Sequence, residues 1–300
     1  MTLQSRARLA LLPAVLAVSS SAIFVRFAAA PPIGAAFWRG AIAGLAFLPL
    51  ICYPHFFRQL CAMTRREFVL IALATTVIAT HQICFITSLS YTSVAACTFL
   101  TSTQPIFTAL LGGILIRERV STRSLLFILG AIAGMAIITF SEPVEGAPVE
   151  HALKGNLLAL LAALLASLYT LAARRLRQKT PLVPFMFTVH VSGTIFLGLI
   201  IAITGVNLTQ YSSQTWTGLI LLGLIPTFIG HSLLTYSVGH MRAFVVNASI
   251  LGEPVGATLM AALFLNEAAS WQTLVGGAII IACILFIVLE REVQPSPVEM

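Results

Sequence analysis

The chain has 300 residues, of which 58% are hydrophobic and only 9% are charged, and its formal net charge is +7. Soluble proteins carry about 25% charged residues, so this composition excludes an ordinary soluble domain. In a membrane protein, basic residues set the orientation in the bilayer. The positive charge is therefore no sign of nucleic-acid binding, and we expect a polytopic helical membrane protein.

Apolar runs of about 20 residues recur along the whole chain, and each is long enough to cross a bilayer as a helix. We predict ten spans in chain order, at about 9–28, 33–52, 67–88, 92–116, 122–140, 154–173, 182–204, 215–238, 243–265 and 270–289. The first span follows Arg6 and Arg8 and has the pattern of a secretory signal. We expect it to stay uncleaved, because the sixth span is its counterpart in the second half of the chain.

One stretch of the chain occurs twice, at residues 99–121 and again, 149 residues later, at 248–270. In each copy a polar residue precedes a proline, and a glutamate closes the apolar run thirteen residues after that proline. These residues are Gln104, Pro105 and Glu118 in the first copy and Glu253, Pro254 and Glu267 in the second. We interpret the chain as a duplicated unit, with residues 1–145 and 146–300 each forming one five-helix repeat.

The odd number of spans in each repeat has a topological consequence. The second repeat must enter the membrane from the opposite side to the first. Inverted-topology repeats are typical of secondary transporters, whose substrate site lies near the bilayer midplane between the repeats. The expected fold is therefore an all-α membrane protein of ten helices in two inverted repeats. Duplication can also produce an inert helix bundle, and that alternative stays open at this point.

The basic residues predict which side of the membrane each loop faces, because Lys and Arg collect in cytoplasmic loops. If the N-terminus lies in the cytoplasm, 14 of the 17 basic residues lie inside, including the run Arg174–Lys179. The loop at 141–151 then lies outside and carries three glutamates. We expect a multi-pass protein of the cytoplasmic (inner) membrane with both termini in the cytoplasm.

Several short motifs accompany the duplication. They are Trp38-Arg39-Gly40, Tyr91-Thr92-Ser93, the pairs Gln104-Pro105 and Glu253-Pro254, and the helix-ending Arg117-Glu118-Arg119 and Asn266-Glu267. In these residues, and over nearly all of 9–290, the chain resembles the EamA-like family of the drug/metabolite transporter superfamily. The resemblance implies a ten-helix transporter of amino acids and other small metabolites, with helices three, four, eight and nine around a central cavity. Small multidrug-resistance relatives depend on a glutamate in the first helix. Spans one and six lack a glutamate, which counts against the proton-antiport mechanism of those relatives.

Polar and ionisable side chains at bilayer depth are costly, so they mark candidate functional sites. Glu253 and Gln104 lie near the midplane of spans nine and four, and the proline after each kinks its helix. Glu253 is the only acidic residue predicted at that depth, and it is therefore our candidate for proton coupling as well as for substrate binding. The alternative is that both side chains only satisfy backbone groups freed at the kinks.

Seven further residues are predicted to line the cavity. They are Arg39 in span two, His81 and Gln82 in span three, Thr98 in span four, His231 and Tyr236 in span eight, and Asn247 in span nine. Gln82 and His231 correspond under the 149-residue offset, so polar residues recur at one level on two candidate cavity helices. Arg39 either meets an anionic group of the substrate or Glu253, or extends outward to the membrane surface. Helix–helix packing is the alternative for the others.

The leading functional hypothesis is a secondary transporter, working as an exporter, of small organic metabolites such as amino acids. The main alternative is an intramembrane enzyme that pairs His81 or His231 with a serine. The chain has no aspartate and no HExxH or GxSxG motif, which disfavours that alternative. We expect no cofactor and no metal site. The expected partners are a small-molecule substrate and the lipid bilayer, without nucleic acid, and the expected assembly is a monomer or homodimer.

Overall fold

Helices are the only regular secondary structure in the residues that the computed structural model describes, which are 2–92, 94–118, 120–141, 152–253, 255–256, 260 and 271–289. This agrees with the predicted all-α class. The α-helices are α1 (Leu3–Ser19), α2 (Ser21–Ala28), α3 (Pro32–Ile51), α4 (Pro54–Cys61), α5 (Arg65–Ser88), α6 (Val94–Thr101), α7 (Gln104–Leu115), α8 (Thr122–Ser141), α9 (Ala152–Arg177), α10 (Leu182–Thr204), α11 (Ser213–Leu222), α12 (Ser232–His240), α13 (Ala243–Ser249) and α14 (Trp271–Leu289). A π-helix (Gly223–His231) joins α11 to α12, and a 3-10 turn (Ile250–Gly252) follows α13.

Among the described residues, six helical segments are long and apolar enough to cross a membrane. They are Leu3–Ala28, Pro32–Ile51, Arg65–Ser88, Leu153–Arg177, Leu182–Thr204 and Ser213–His240, and they overlap predicted spans one, two, three, six, seven and eight. Predicted spans four, five, nine and ten contain the shorter apolar helices Phe99–Leu115, Thr122–Ile137, Ala243–Gly252 and Leu274–Leu289. Most of 254–270, which completes predicted span nine, lies outside the described residues.

Proline interrupts two helices near the centre of the molecule. Span four breaks between α6 and α7 because Pro105, near the start of α7, has no N–H to continue the hydrogen bonding of α6. In span eight, Pro226 likewise leaves the Leu222 carbonyl without its usual donor. The hydroxyl of Thr227 donates to that carbonyl at 2.7 Å, and the helix widens into the π-helix at this point.

The helices of one repeat pack on the helices of the other. Three contacts join spans that correspond under the duplication: α3 packs on α10, α7 on α13, and α8 on α14. In addition, α1 packs on α12 and the π-helix, and α5 packs on α9. Span one corresponds to span six, and span eight corresponds to span three. The contact of α1 with α12 therefore corresponds to the contact of α9 with α5. The packing therefore has the approximate two-fold symmetry expected of a duplicated unit.

Glycines allow the two repeats to approach closely at these contacts. A Cβ added to Gly134 on α8 would lie 2.8 Å from the carbonyl oxygen of Gly276 on α14. A Cβ on Gly230 in the π-helix would lie 2.8 Å from Cγ1 of Val18 on α1. Membrane helices pack through such small residues, because lipid tails provide no hydrophobic drive for association. Large apolar side chains remain on the outer faces, where Ile203 is 84% exposed.

Candidate functional site

A cavity of about 130 Å³ lies between the two repeats. The first repeat contributes residues of α3, α5 and α7 to its wall, and the second contributes residues of α9, the π-helix and α13. Six of the predicted site residues line it: Arg39, His81, Gln104, His231, Asn247 and Glu253. The rest of the wall is mostly apolar. A concave, apolar cavity with a few convergent polar groups is typical of a small-molecule binding site.

Arg39 crosses from the first repeat to the second. Its side chain is on α3 and is only 4% exposed. Nε donates a hydrogen bond to Oγ1 of Thr227 at 3.1 Å, and Nη2 donates to Nε2 of His231 at 3.2 Å. Both partners belong to the π-helix. The interruption at Pro226 thus positions the two groups that hold the guanidinium inside the membrane, where it does not extend to the surface.

The hydrogen bonds of the two cavity histidines indicate their tautomers. Nδ1 of His81 lies 2.8 Å from the carbonyl oxygen of Ala162 on α9, and a carbonyl only accepts, so Nδ1 carries the proton. A neutral His81 then has Nε2 as an acceptor. His231 accepts from the guanidinium of Arg39 through Nε2, so a neutral His231 carries its proton on Nδ1. Both rings are therefore oriented by the opposite repeat.

Asn247 connects three helices beside the cavity. Its Nδ2 donates to Oγ1 of Thr108 on α7 at 2.5 Å, and its Oδ1 accepts from Oγ1 of Thr170 on α9 at 3.1 Å. Asn247 is 1% exposed, so each polar atom needs such a partner. The residue therefore combines the two roles considered for it, since it lines the cavity and also joins helices.

The interruption before Gln104 is stabilised by hydroxyl groups. The backbone carbonyl of Gln104 accepts hydrogen bonds from Oγ1 of Thr108 at 3.0 Å and from Oγ of Ser167 at 2.8 Å. Ser167 belongs to α9 of the second repeat. Because these hydroxyls satisfy the backbone, the side chain of Gln104 is not required for that purpose and contributes to the cavity wall.

Glu253 places a carboxyl group on the cavity wall directly after the 3-10 turn. It interacts electrostatically with Arg39, which lies in the other repeat. In a low-dielectric interior such an interaction is much stronger than in water. The cavity therefore presents a positive and a negative group to whatever occupies it.

Two predicted site residues do not line this wall, and a third cannot be placed relative to it. Gln82 lines a second, smaller cavity of about 40 Å³. The ring of Tyr236 packs against that of His240 at a centroid distance of 4.7 Å, and Tyr236 lines neither of these two cavities. The side chain of Thr98 lies outside the described residues.

The structure adds residues that the sequence analysis did not select. Tyr169 and Thr170 on α9 line the central cavity, and Thr227 holds Arg39. A signal for Thr227 was present in the sequence, because Pro226 inside an apolar run predicts a disrupted helix. Tyr169 and Thr170 carried no such signal, since polar residues on an apolar helix are most often packing contacts.

The geometry does not reproduce the nucleophilic pair of the enzyme alternative. Within the described part of the chain, the hydrogen bonds of His81 and His231 go to a backbone carbonyl and to a guanidinium, and none goes to a serine. The same residues contain no cluster of three or more His, Cys, Asp or Glu side chains that could hold a metal ion. The arrangement is suited to binding a small polar molecule.

A sequence profile of the EamA-like transporter family matches residues 6–140 and again 153–289. The chain belongs to this family. The uncharacterized transporter YetK of Bacillus subtilis is 29% identical over 241 residues, which are 78% of this chain and 72% of YetK. The uncharacterized transporter YdfC of the same organism is 25% identical over 198 residues, 66% of this chain and 63% of YdfC. An uncharacterized transporter of Archaeoglobus fulgidus is 26% identical over 206 residues, 67% of this chain and 70% of the relative.

The fold is also found in a solved structure. A crystal structure covers 95% of this chain and 96% of its own, with a TM-score of 0.77 and 18% sequence identity. This likeness shows the fold. The family match and the apolar helices identify a multi-pass membrane transporter built from two EamA repeats. Its substrate is a small molecule, and its environment is the lipid bilayer.

Proposed function

We propose that this EamA-family protein is a secondary transporter that exports small organic metabolites, with amino acids as the leading class, across the cytoplasmic membrane. The observation that carries the proposal is the central cavity, where Arg39 and Glu253 project from opposite repeats. A zwitterion matches this arrangement, because its carboxylate can bind Arg39 and its ammonium group can bind Glu253. The neutral amides and imidazoles beside them supply further hydrogen bonds.

The duplicated architecture supports alternating access as the mechanism. The helix contacts exchange under the repeat symmetry, so two conformations related by that exchange have similar packing. With five spans in each repeat the two units are inverted, and the exchanged conformation opens to the opposite side of the membrane. The interruptions at α6–α7 and in the π-helix border the cavity and are sites where a helix can bend as the repeats rock.

Transport and enzymatic conversion are distinguished by one experiment. Purified full-length protein is reconstituted into liposomes loaded with a mixture of amino acids and other metabolites, and both compartments are analysed by mass spectrometry. We expect selected compounds to move across the membrane chemically unchanged. Conversion of a compound without movement would support the intramembrane enzyme instead. Liposomes that contain the same mixture but no protein provide the background for passive leakage.

The role of Arg39 is tested by Arg39→Gln in the same liposomes. Loss of a charge-assisted hydrogen bond to a substrate carboxylate costs about 1.5–3 kcal/mol, or a roughly tenfold to 100-fold weaker affinity. We expect the half-saturating concentration of a transported compound to rise by that factor. Arg58→Gln, at the exposed end of α4, is the matched control and should transport like the parent. An unchanged half-saturating concentration in Arg39→Gln would contradict the proposed binding role.

A further inference from the structure

A second cavity of about 40 Å³ adjoins the central one, and both are lined by Ile78, Tyr169 and His231. The polar side chains on the wall of this side cavity include Gln82 on α5, His190 on α10, and Thr227 and His231 in the π-helix. Arg39 bonds to both Thr227 and His231. The guanidinium that is proposed to bind the substrate therefore stands where the two cavities meet.

His190 is held firmly in the wall of the side cavity. Its ring stacks on that of Phe47 with the centroids 5.7 Å apart, and a Cβ added to Gly44 would lie 3.5 Å from the His190 Cβ. The side chain is 7% exposed. Its Nε2 is nevertheless buried without a hydrogen-bond partner among the described residues. Buried polar atoms in folded proteins almost always have a partner, so the unpaired nitrogen of this wall residue is a candidate for a hydrogen bond to a group bound in the cavity.

The size of the side cavity limits what that group can be. A cavity needs about 10–15 Å³ to hold one water molecule, so about 40 Å³ admits a hydroxyl or carboxamide group. It is too small for a complete metabolite. Its occupant must therefore be either water alone or a polar group that projects from a ligand in the central cavity.

We propose that the side cavity binds the polar side chain of the transported metabolite, and that His190 and Gln82 recognise it by hydrogen bonding. This inference rests on the proposed function and narrows its substrate class. The carboxylate of the substrate binds Arg39, and a hydroxyl or carboxamide group close to that carboxylate enters the side cavity. An analogue with an apolar group of the same shape leaves the buried polar groups unpaired, and it therefore binds more weakly.

The test compares isosteric pairs of amino acids. Binding of L-threonine and L-valine, and of L-asparagine and L-leucine, is measured through thermal stabilisation of the purified full-length protein over a range of ligand concentrations. We expect the polar member of each pair to bind about tenfold more tightly, which is the effect of one buried hydrogen bond. His190→Leu should abolish this preference, and His190→Gln, which keeps hydrogen-bonding capacity, should retain it.

Two further variants complete the design. Gln82→Leu changes another part of the side-cavity wall, and we expect it to reduce the preference. This variant keeps the inference testable if His190→Leu does not fold. His55→Leu removes an exposed histidine on α4 and should leave the preference intact. Equal affinity within each pair for the parent protein, or an undiminished preference in folded His190→Leu or Gln82→Leu, would overturn the inference and leave the side cavity to water. If none of the four amino acids binds, the proposed amino-acid substrate class fails as well.

Discussion

Arg39 and Glu253 determine the charge of the central cavity. Among the described lining residues they are the only guanidinium and the only carboxyl group. They come from different repeats, and they interact with each other electrostatically. A bound zwitterion provides each of them with a new partner of opposite charge. Binding therefore leaves neither buried charge unpaired, which would be strongly destabilising.

Glu253→Gln tests whether this carboxyl group also couples transport to protons. Glutamine keeps the shape and hydrogen-bonding capacity of glutamate but cannot titrate. The first repeat has Gln104 at the corresponding position, so an amide is compatible with the local packing. If Glu253 carries the proton, the variant should lose accumulation driven by a pH gradient. It should still exchange substrate across the membrane, but with weaker affinity, because the amide lacks the charge that pairs with the substrate ammonium group. Both activities are measured in the same proteoliposomes.

The control for this variant is Glu67→Gln. Glu67 closes a capping box with Thr64 at the start of α5, and glutamine also serves in that position. This change removes one carboxyl group far from the cavity, and we expect it to leave accumulation unchanged. Normal accumulation by Glu253→Gln under a pH gradient would mean that Glu253 does not couple protons and acts only in substrate binding or in the structure.

At the level of residues, the sequence was most informative where burial is most costly. Arg39, His81, His231, Asn247 and Glu253 could be selected because polar groups at bilayer depth need partners or a function. Their depth follows from their position along each span. Depth does not determine the rotation of a helix about its axis, and so the sequence could not show that Tyr236 and Gln82 lie away from the central cavity.

Among the helices, the end of α7 makes contacts with several others. Arg117 has a left-handed φ of 57°, and the N–H of Glu118 donates back to the Gly112 carbonyl at 3.0 Å, so the chain turns back on the last turn of α7. The Glu118 carboxylate then accepts from Nε of Arg174 on α9 at 2.7 Å and from the N–H of Ala243 at 3.0 Å. It thus caps α13 and joins the ends of three helices.

Arg174 extends this connection to a fourth helix. Its Nη1 donates to the carbonyls of Val238 and Gly239 at the end of α12, where unpaired carbonyls favour a cation. The side chains of Arg174 and Glu118 are mostly buried, with 18% and 17% exposure. This pair should therefore contribute more to stability than an exposed salt bridge does.

A double-mutant cycle measures the contribution of this pair. We expect Glu118→Ala and Arg174→Ala each to lower thermal stability in detergent, and the double variant to lose less than the sum of the two. The coupling free energy should be about 1–3 kcal/mol, as for hydrogen bonds to charged groups. Arg175→Ala, the exposed neighbour on α9, should show no coupling to Glu118→Ala. Equal coupling for Arg174 and Arg175 would mean that the observed contacts contribute little.

The elements themselves were predictable to different degrees. Long apolar runs gave the helices, because a bilayer-spanning run satisfies its backbone only as a helix. The short helix α4 lies between predicted spans two and three and was missed, since eight residues are too few for a span. Its start at Pro54 is nevertheless typical of a helix N-terminus. The π-helix was also missed, because hydrophobic periodicity does not distinguish an α-turn from a π-turn.

For the whole molecule, the side-chain contacts show which helix ends lie together. Oγ of Ser237 donates to the carbonyl of Ala7 at 2.9 Å, so the start of α1 adjoins the end of α12. The end of α12 in turn contacts Arg174 near the end of α9. Arg6, Arg8 and the run Arg174–Lys179 are therefore on the same side of the molecule, as the positive-inside rule requires of cytoplasmic loops.

The opposite side of the molecule contains the start of α9 and the end of α5. Oγ1 of Thr92 donates to Oδ1 of Asn156 at 2.9 Å, and Nζ of Lys154 lies 4.2 Å from the ring centroid of Tyr91. Lys154 is one of the three basic residues that the predicted orientation leaves on or near the outer side. Its contact with an aromatic ring stabilises the cation locally.

The orientation of the whole transporter is tested by reporter fusions. The predicted inner side contains 14 of the 17 basic residues, and reversing the protein would place them outside, against the positive-inside rule. We expect a fluorescent protein fused after Met300 to fluoresce and alkaline phosphatase at the same site to be inactive. Phosphatase inserted between residues 141 and 151 should be active, because this loop is predicted to face outward. Active phosphatase after Met300 would require either an odd number of spans or an external N-terminus. An odd number would contradict the two five-helix repeats, and an external N-terminus would contradict the predicted orientation.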